Sequence, residues 1–255
     1  MSAVATRAAS FEYLLRLGDD RLVLGHRLSE WCGHGPILEE DIALANIALD
    51  LIGQANLFLE QAGRAEGKGR DQDALAFFRE VVDYRNALIA ELPKGDFAFT
   101  IARQFLFSIF SYLQMDALTK SRNADIAGIA AKAVKEAQYH VRHSADWMIK
   151  LGDGTAESHE RVQSAVNDLW RYVGELFLAD DIDRAATAAG AGVDPSTLES
   201  PWRGHVDDVL KRATLTVPEV KFMQRGGRDG KHTEHLGHLL SEMQIVARSY
   251  PTGAW

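Results

Sequence analysis

The sequence lacks the features on which exported, membrane-spanning and nucleic-acid-binding proteins depend. Its one cysteine, Cys32, allows no internal disulfide and suits a reducing compartment. Residues 1–10 contain no apolar stretch of signal-peptide length, and no run reaches about 18 uninterrupted apolar residues. The 28 basic residues are outnumbered by 36 acidic ones, which disfavours nucleic acid as the main partner. We therefore expect a cytoplasmic protein that binds neither nucleic acid nor membrane.

Proline is also scarce, and this favours long helices. Only six prolines occur, and none lies between Pro36 and Pro93 or between Pro93 and Pro195. Apolar–polar alternation typical of strands is almost absent. The pattern predicts an all-α protein, a long antiparallel helical bundle forming one domain over 1–255, with 1–9 flexible. The predicted helices are 10–31, 38–63, 72–91, 97–121, 124–151, 157–189, 201–215 and 233–249. Asp96, Asn123 and Thr155 are the predicted N-caps of the helices that follow them.

Helix 38–63 is apolar nearly all round, which predicts a position in the middle of the bundle. Asp50 lies on one stripe of this helix with Ile42 and Leu57. A carboxylate inside a core is costly unless it is paired or bound to metal. Asp50 and Glu136, from helix 124–151, are therefore candidates to face each other as metal ligands. The alternatives are a buried polar network and positions at a solvated edge.

A diiron centre in a helical bundle requires two single acids and two Glu-x-x-His pairs, whose spacing directs both side chains at one metal. Helix 38–63 offers Asp50-x-x-Gly53, without a histidine. Helix 124–151 offers Glu136-x-x-Tyr139, with His140 one residue late and rotated by about 100°. Helix 97–121 has no acid in its middle and offers only Ser108. The sequence thus predicts that this chain holds no diiron cluster.

Two features near the C-terminus could bind ligands. His232, His235 and His238 lie within seven residues, but their order is not that of zinc hydrolases, so surface histidines are the alternative to a metal site. Upstream, residues 221–231 form a glycine-rich basic loop that contains Arg225, Arg228 and Lys231. Such a loop before a helix can hold an anionic group or contact a partner. A flexible solvated loop is the alternative.

Several segments resemble one family. They are Leu15-Arg-Leu-Gly-Asp-Asp20, Glu30-Trp-Cys-Gly-His34, the stretch Asp41–Ala55, Thr100-Ile-Ala-Arg-Gln104, Lys132–His140 and Gly226–Gly237. Together they are similar to the C subunits of phenylacetyl-CoA 1,2-epoxidases, multicomponent monooxygenases of phenylacetate catabolism. The resemblance extends over essentially the whole chain after the first ten or so residues.

The resemblance implies a ferritin-like fold and a structural, non-catalytic subunit. Its implied partner is the A subunit, a homologous bundle that carries the diiron site and epoxidises the aromatic ring of phenylacetyl-CoA. Further oxygenase components, a reductase and contact with the CoA ester are also implied, and no cofactor is expected in this chain. Asp50, Ser108, Glu136, Tyr139 and His140 would then be vestigial metal-site positions, with Arg103 or Gln104 balancing their charges.

On the same interpretation, Arg225, Arg228, Lys231, His232 and His235 would contact a ligand or partner. The enzymatic alternative is an autonomous carboxylate-metal (diiron) oxidase that uses Asp50, Glu136 and His140. A helical binding module unrelated to oxygenation is a third hypothesis.

Overall fold

The computed structural model describes residues 3–253, with side chains from residue 7 onward. This part of the chain contains ten α-helices and no strand, which confirms the predicted all-α class. The helices are α1 (Ala3–Ser29), α2 (Leu38–Glu66), α3 (Gln72–Phe77), α4 (Leu88–Glu91), α5 (Phe97–Leu118), α6 (Ala124–Gly152), α7 (Ala156–Val173), α8 (Asp181–Ala188), α9 (Glu199–Arg212) and α10 (Glu234–Ser249).

The helices divide into two compact units. Unit 1 comprises the described parts of Met1–Pro93 and Gly226–Trp255, and unit 2 is Lys94–Arg225. In unit 1 the long pair α1 and α2 packs together, with α3, α4 and α10 against it. In unit 2 the pair α5 and α6 forms the centre, and α7 and α9 pack on both helices. The single ferritin-like domain inferred from the sequence is not tested by this division and stays a prediction.

Side-chain caps determine where three of the helices begin. Asp96 accepts a hydrogen bond from the backbone N–H of Phe99 at the start of α5. Asn123 does the same for α6, and Thr155 accepts from the N–H of Ser158 at the start of α7. These oxygens satisfy N–H groups that have no partner within the helix. All three caps are predictable from sequence, and the structure confirms them.

The first helix extends further than the sequence indicates. It begins at Ala3 rather than near residue 10. Part of the segment predicted to be flexible is therefore helical, while Met1 and Ser2 lie outside the described residues.

The prediction of one continuous helix over 72–91 is wrong. The segment forms α3, a short 3₁₀ turn at Val81–Asp83, and α4. Between them the backbone N–H groups of Arg85 and Ala87 bind the carboxylates of Asp19 and Asp20 on α1. Because these N–H groups donate to side chains, they cannot donate to the carbonyl four residues earlier. A continuous helix is thereby excluded.

The predicted helix 157–189 is also interrupted. It becomes α7, a 3₁₀ turn at Gly174–Phe177, and α8. Asp180 starts α8 with a capping box, accepting from the N–H of Asp183 while the Asp183 side chain accepts from the N–H of Asp180. The reciprocal cap stabilises a new helix start where apolar periodicity alone suggests continuation.

Helix α2 is not enclosed on all sides, contrary to the prediction that it lies in the middle of the bundle. Leu44, Ile47 and Leu51 are fully buried against the rest of unit 1, whereas Leu38 and Leu49 are 71% and 66% exposed. Within the described residues, α2 alone is long and apolar enough to cross a membrane, and 44% of its most apolar stretch is buried in this chain. The sequence identifies an apolar helix but not which apolar side chains have partners.

Candidate functional site

The middle of α5 carries polar side chains inside unit 2, without an acid. Arg103 and Gln104 are fully buried, and Gln104 Nε2 donates a hydrogen bond to Ser108 Oγ over 2.8 Å. Ser108 is itself 1% exposed. At the position where a bridging carboxylate is required, this helix therefore presents an uncharged hydroxyl that already accepts a hydrogen bond.

The residues of the Glu136–His140 motif on α6 face in different directions. His140 is buried, with 2% of its surface exposed, whereas Tyr139 lies at the surface. The Tyr139 ring contacts His143 at a centroid distance of 6.0 Å, and the Arg142 guanidinium lies 5.6 Å from the Tyr139 ring centroid. Glu136 is half-buried, with Lys132 Nζ 3.6 Å from its Oε1. Glu136 and Tyr139 thus do not form an inward ligand pair.

Asp50 is half-buried on α2 and belongs to unit 1, whereas Ser108, Glu136, Tyr139 and His140 belong to unit 2. The predicted approach of Asp50 to Glu136 therefore stays a prediction. Over residues 3–253, no group of three or more histidine, cysteine, aspartate or glutamate side chains is arranged to hold a metal ion. The residues at the expected ligand positions do not fit a carboxylate-bridged diiron centre, because a serine and a surface tyrosine replace two of its ligands.

Unit 1 contains a buried ionic network that the sequence reasoning missed. At its centre, Asp19 and Asp20 on α1 are both fully buried. Arg79 donates two hydrogen bonds to Asp19, one of them over 2.9 Å. Burial acts to lower the pKa of Arg79, but the charge and hydrogen bonds of Asp19, together with Tyr84 and Asp83, raise it above its usual value. This pair attaches the segment after α3 to α1.

Asp20 binds the C-terminal part of unit 1. Arg228 donates two parallel hydrogen bonds to its carboxylate, over 2.9 Å to Oδ1 and 2.7 Å to Oδ2. Arg228 Nη1 also donates to the backbone carbonyl of Arg85 over 2.7 Å. The bidentate geometry is the strongest arrangement available to an arginine and a carboxylate. Arg228 thus serves an internal contact between α1, the segment before α4, and the loop before α10.

Glu91 forms a second centre of the network. Its side chain is fully buried, and its Oε2 accepts from Asn86 Nδ2 over 2.8 Å and lies 2.7 Å from His232 Nδ1. The backbone N–H of Thr233 donates to Glu91 Oε1 over 2.6 Å. Arg27 donates to the backbone carbonyls of both Glu91 and His235. The start of α10 is therefore held on α1 and α4.

The glycines of the C-terminal loop permit its close approach to the rest of unit 1. A Cβ on Gly227 would lie 2.1 Å from the carbonyl oxygen of Asn86. Gly230 has a φ of +75°, and a Cβ there would meet the carbonyl oxygen of Val82 at 2.3 Å. The run Gly226-Gly-Arg-Asp-Gly230 is therefore a packing motif, in which glycine allows contact and Arg228 provides the ion pair.

The residues predicted to contact a ligand or partner thus fall into two groups. Arg228 and His232 are engaged within unit 1, and His235 is half-buried at the start of α10. Arg225, in unit 2, and Lys231, in unit 1, are exposed. The predicted external contact stays a prediction, and its accessible cations are Arg225 and Lys231.

Arg21 is a third buried charge on α1. Its Nε donates to Gln54 Oε1 over 3.0 Å, and its guanidinium lies 5.3 Å from the Phe58 ring centroid. Burial lowers the pKa of Arg21 to about 10, with Asp20 acting in the opposite direction. The sequence signal for this network is the run Asp19-Asp20-Arg21 in the middle of a long predicted helix. Three adjacent residues span about 200° of a helix, so their side chains do not all lie on one solvent-facing side.

Residues 1–255 match the family described as Phenylacetic acid catabolic protein. The chain belongs to this family. A curated relative from Escherichia coli (strain K12), the C subunit of 1,2-phenylacetyl-CoA epoxidase, is 49% identical over 243 residues, covering 95% of this chain and 98% of the relative. The match confirms the resemblance inferred from the sequence and places the chain in phenylacetate catabolism. Two of the segments that carry the resemblance, 15–20 and 226–237, meet in the Asp20–Arg228 pair.

Proposed function

We propose that this chain is a non-catalytic subunit that pairs with a diiron A subunit to form an oxygenase. The complex epoxidises the aromatic ring of phenylacetyl-CoA in the cytoplasm, with further oxygenase components and a reductase as electron donor. The name of the E. coli relative, a C subunit of 1,2-phenylacetyl-CoA epoxidase, supports the reaction and the role as a subunit. The ligand-poor positions Ser108 and Tyr139 support the assignment of the iron to the partner.

The exposed face of α2 is the observation that carries the pairing. Leu38, Ile42, Ala45 and Leu49 follow one another at spacings of four and three residues. This is the spacing of a seam that packs against another helix. Leu38, Ile42 and Leu49 are each more than half exposed in this chain. Burial of one such side chain stabilises a complex by about 1.5–3 kcal/mol, so the seam favours binding to a partner surface that covers it.

We assign this cover to a helix of the A subunit with its own apolar seam. The charges flanking the seam favour a specific partner over a lipid surface. Glu39 and Asp41 stand in the first turn of α2, and Asp50 follows Leu49 at a direction rotated by about 100° around the helix, at the edge of the seam. Carboxylates are repelled by anionic headgroups and are costly in hydrocarbon. A second copy of this chain and a membrane are the outcomes against which the assignment is tested.

Co-expression with an A subunit tests the proposal. We expect a complex whose iron, counted per chain by mass spectrometry, is present only when the A subunit is present. The double variant Ile42→Lys with Leu49→Lys should lose assembly by about a hundredfold or more in affinity, because two buried aliphatic contacts are removed. Ile245→Lys, at an exposed aliphatic position of α10, is the matched control and should assemble normally.

Other results would contradict specific parts of the proposal. If the chain alone bound about two irons and consumed dioxygen, it would be an autonomous oxidase that uses Asp50, Glu136 and His140. Concentration-dependent dimers of the chain alone, abolished by the double variant, would assign the seam to a second copy. Binding to vesicles without the A subunit would assign it to a membrane.

The exposed cations Arg225 and Lys231 are the proposed points of contact with the A subunit or with the phosphates of the CoA ester. Charge reversal at both, Arg225→Glu with Lys231→Glu, should weaken one of these interactions while the fold is retained, since both side chains are exposed. Unchanged assembly and unchanged CoA affinity would rule out this contact.

A further inference from the structure

A groove on the surface of unit 2 has a composition that differs from the acidic average of the chain. Its volume is about 560 Å³, and its floor is formed by Ile109 and Tyr112 of α5. Its walls are formed by α6 and by His205 of α9. This volume lies in the range of small-molecule sites, roughly 300–1,000 Å³. The helices that enclose it, α5, α6 and α9, pack directly on one another, so the groove lies where these three helices of unit 2 meet.

One face of α6 supplies most of the polar lining. Lys135, Gln138, Tyr139 and Arg142 follow at i, i+3, i+4 and i+7, and therefore share one stripe of the helix. Tyr139, which the sequence pattern placed at a lost metal position, instead presents its ring to this groove. The Arg142 guanidinium lies over that ring, 5.6 Å from its centroid, so a cation and an aromatic ring adjoin in the groove.

The charge of the lining has a single sign. Lys135 and Arg142 are cations and His205 adds a third titratable base, whereas none of the described residues that line the groove is acidic. In a chain with a net charge of −8, such a cluster attracts an anion. Two tyrosine rings beside it provide a surface on which a flat heteroaromatic ring can stack.

We propose that this groove binds an adenine nucleotide, with the phosphates on Lys135 and Arg142 and the base against Tyr139 and Tyr112. The shared chemistry is a pyrophosphate joined to adenosine, which a free nucleotide and coenzyme A both contain. Recognition of the nucleotide does not depend on pairing with an A subunit. Only the choice of coenzyme A as its source rests on the proposed function, and in that case Arg225 and Lys231 are left to contact the A subunit and not the coenzyme A phosphates.

Calorimetric titration of the full chain with ADP tests the site. We expect saturable binding at low salt that weakens as salt is raised, because the phosphate contacts are electrostatic. Lys135→Gln with Arg142→Gln should weaken ADP binding by about tenfold or more. Tyr139→Leu should weaken it by about fivefold or more through loss of stacking. Lys132→Gln, on the same helix but outside the groove, is the control and should bind ADP as the wild type does.

One further variant and three ligands make the outcome decisive. Arg142→Lys keeps the charge and should retain most of the affinity, provided that circular dichroism shows all variants folded. Inorganic phosphate and adenosine should each bind more weakly than ADP by about tenfold or more, since each lacks half of the ligand. Coenzyme A binding more tightly than ADP would identify coenzyme A as the source, and equal binding would identify the shared nucleotide.

The proposal is overturned if ADP and coenzyme A both fail to bind the full chain, if phosphate binds as tightly as ADP, or if the groove variants bind like the wild type. Assembly with the A subunit is measured separately and can succeed or fail independently of these results.

Discussion

At the scale of single residues, the buried charges of unit 1 hold its non-contiguous segments together. Asp19, Asp20 and Glu91 are fully buried. Asp19 binds the segment between α3 and α4, whereas Asp20 and Glu91 each bind that segment and the chain end. A buried ion pair contributes little relative to an apolar pair of the same shape, but removal of one partner leaves an uncompensated charge. These residues therefore specify the arrangement of the segments more than they raise stability.

Removal of Arg228 tests this interpretation. Arg228→Leu should lower the free energy of unfolding by about 3 kcal/mol, because Asp20 loses its bidentate partner inside the fold. Urea unfolding followed by circular dichroism measures the change. The control is Arg212→Leu, which removes an exposed partner of Asp208 and should leave the unfolding midpoint unchanged. Equal midpoints for Arg228→Leu and the wild type would show that the pair does not hold the loop.

His26 should make stability depend on pH above the range in which carboxylates titrate. Burial lowers the pKa of His26 below its usual value, with Glu30 partly opposing the effect. The unfolded chain therefore takes up a proton as pH falls through about 6.5, while the folded chain does not. Stability is fully present above that pH and is lost below it, by at most about 1.4 kcal/mol per pH unit for one proton.

Unfolding midpoints measured between pH 7 and pH 5 should reveal this loss, and His26→Gln should reduce the slope. His238→Gln changes an exposed histidine and should not. The pKa values of Asp41, through the Gly35 backbone N–H, and of Glu66, through Arg70, are lowered, so the stability that they contribute is present above about pH 4.5 and is lost only as pH falls below it. A slope that persists unchanged in His26→Gln would assign it to another group.

At the scale of elements, two glycines have different roles. Gly227 permits close packing of two backbone segments, whereas Gly204 only lowers the helix propensity of α9. Gly227→Ala should destabilise the protein by about 2 kcal/mol, because its Cβ would lie 2.1 Å from the Asn86 carbonyl oxygen. Gly204→Ala, on an exposed face of α9 with no atom within 4 Å of the new Cβ, should instead stabilise it by about 0.5–1 kcal/mol. Thermal unfolding of both variants checks the opposite signs, and equal signs would refute the assignment of Gly227 to packing.

The elements also show which sequence signals are reliable. The caps Asp96, Asn123 and Thr155 act within a few residues, so they can be read from the sequence, and α5 and α6 begin where predicted. The helix predicted over 157–189 is interrupted by the local capping box at Asp180, whereas the helix predicted over 72–91 is interrupted by distant acceptors. At 78–87 the backbone donates to Asp19 and Asp20, more than sixty residues away in the chain. Periodicity within a segment contains no information about such distant acceptors.

At the scale of the whole molecule, unit 1 is completed by the last part of the chain, which returns after unit 2. Residues 213–226 join α9 to the final loop without an α-helix and carry the exposed Lys221 and Arg225. We expect trypsin to cleave here first, because exposed irregular segments fit a protease most readily.

The C-terminal fragment should remain attached after this cleavage. Arg228 and His232 bind Asp20 and Glu91, and Leu236 is fully buried within unit 1. Gel filtration of the nicked wild type should therefore recover both fragments in one peak, whereas nicked Arg228→Leu should release the smaller fragment. Release from the wild type would contradict the role of the network in holding the chain end.

The sequence by itself determined the all-α class, three helix starts, the family and the absence of a complete Glu-x-x-His set. These properties depend on local composition and spacing. The tertiary structure alone decided that Arg228 and His232 face inward, that Tyr139 faces a groove, and that Leu38 and Leu49 on α2 lack a cover within this chain. The physical reason is that the burial and pairing of a side chain depend on segments distant in sequence, and helical periodicity specifies a face without specifying what lies against it.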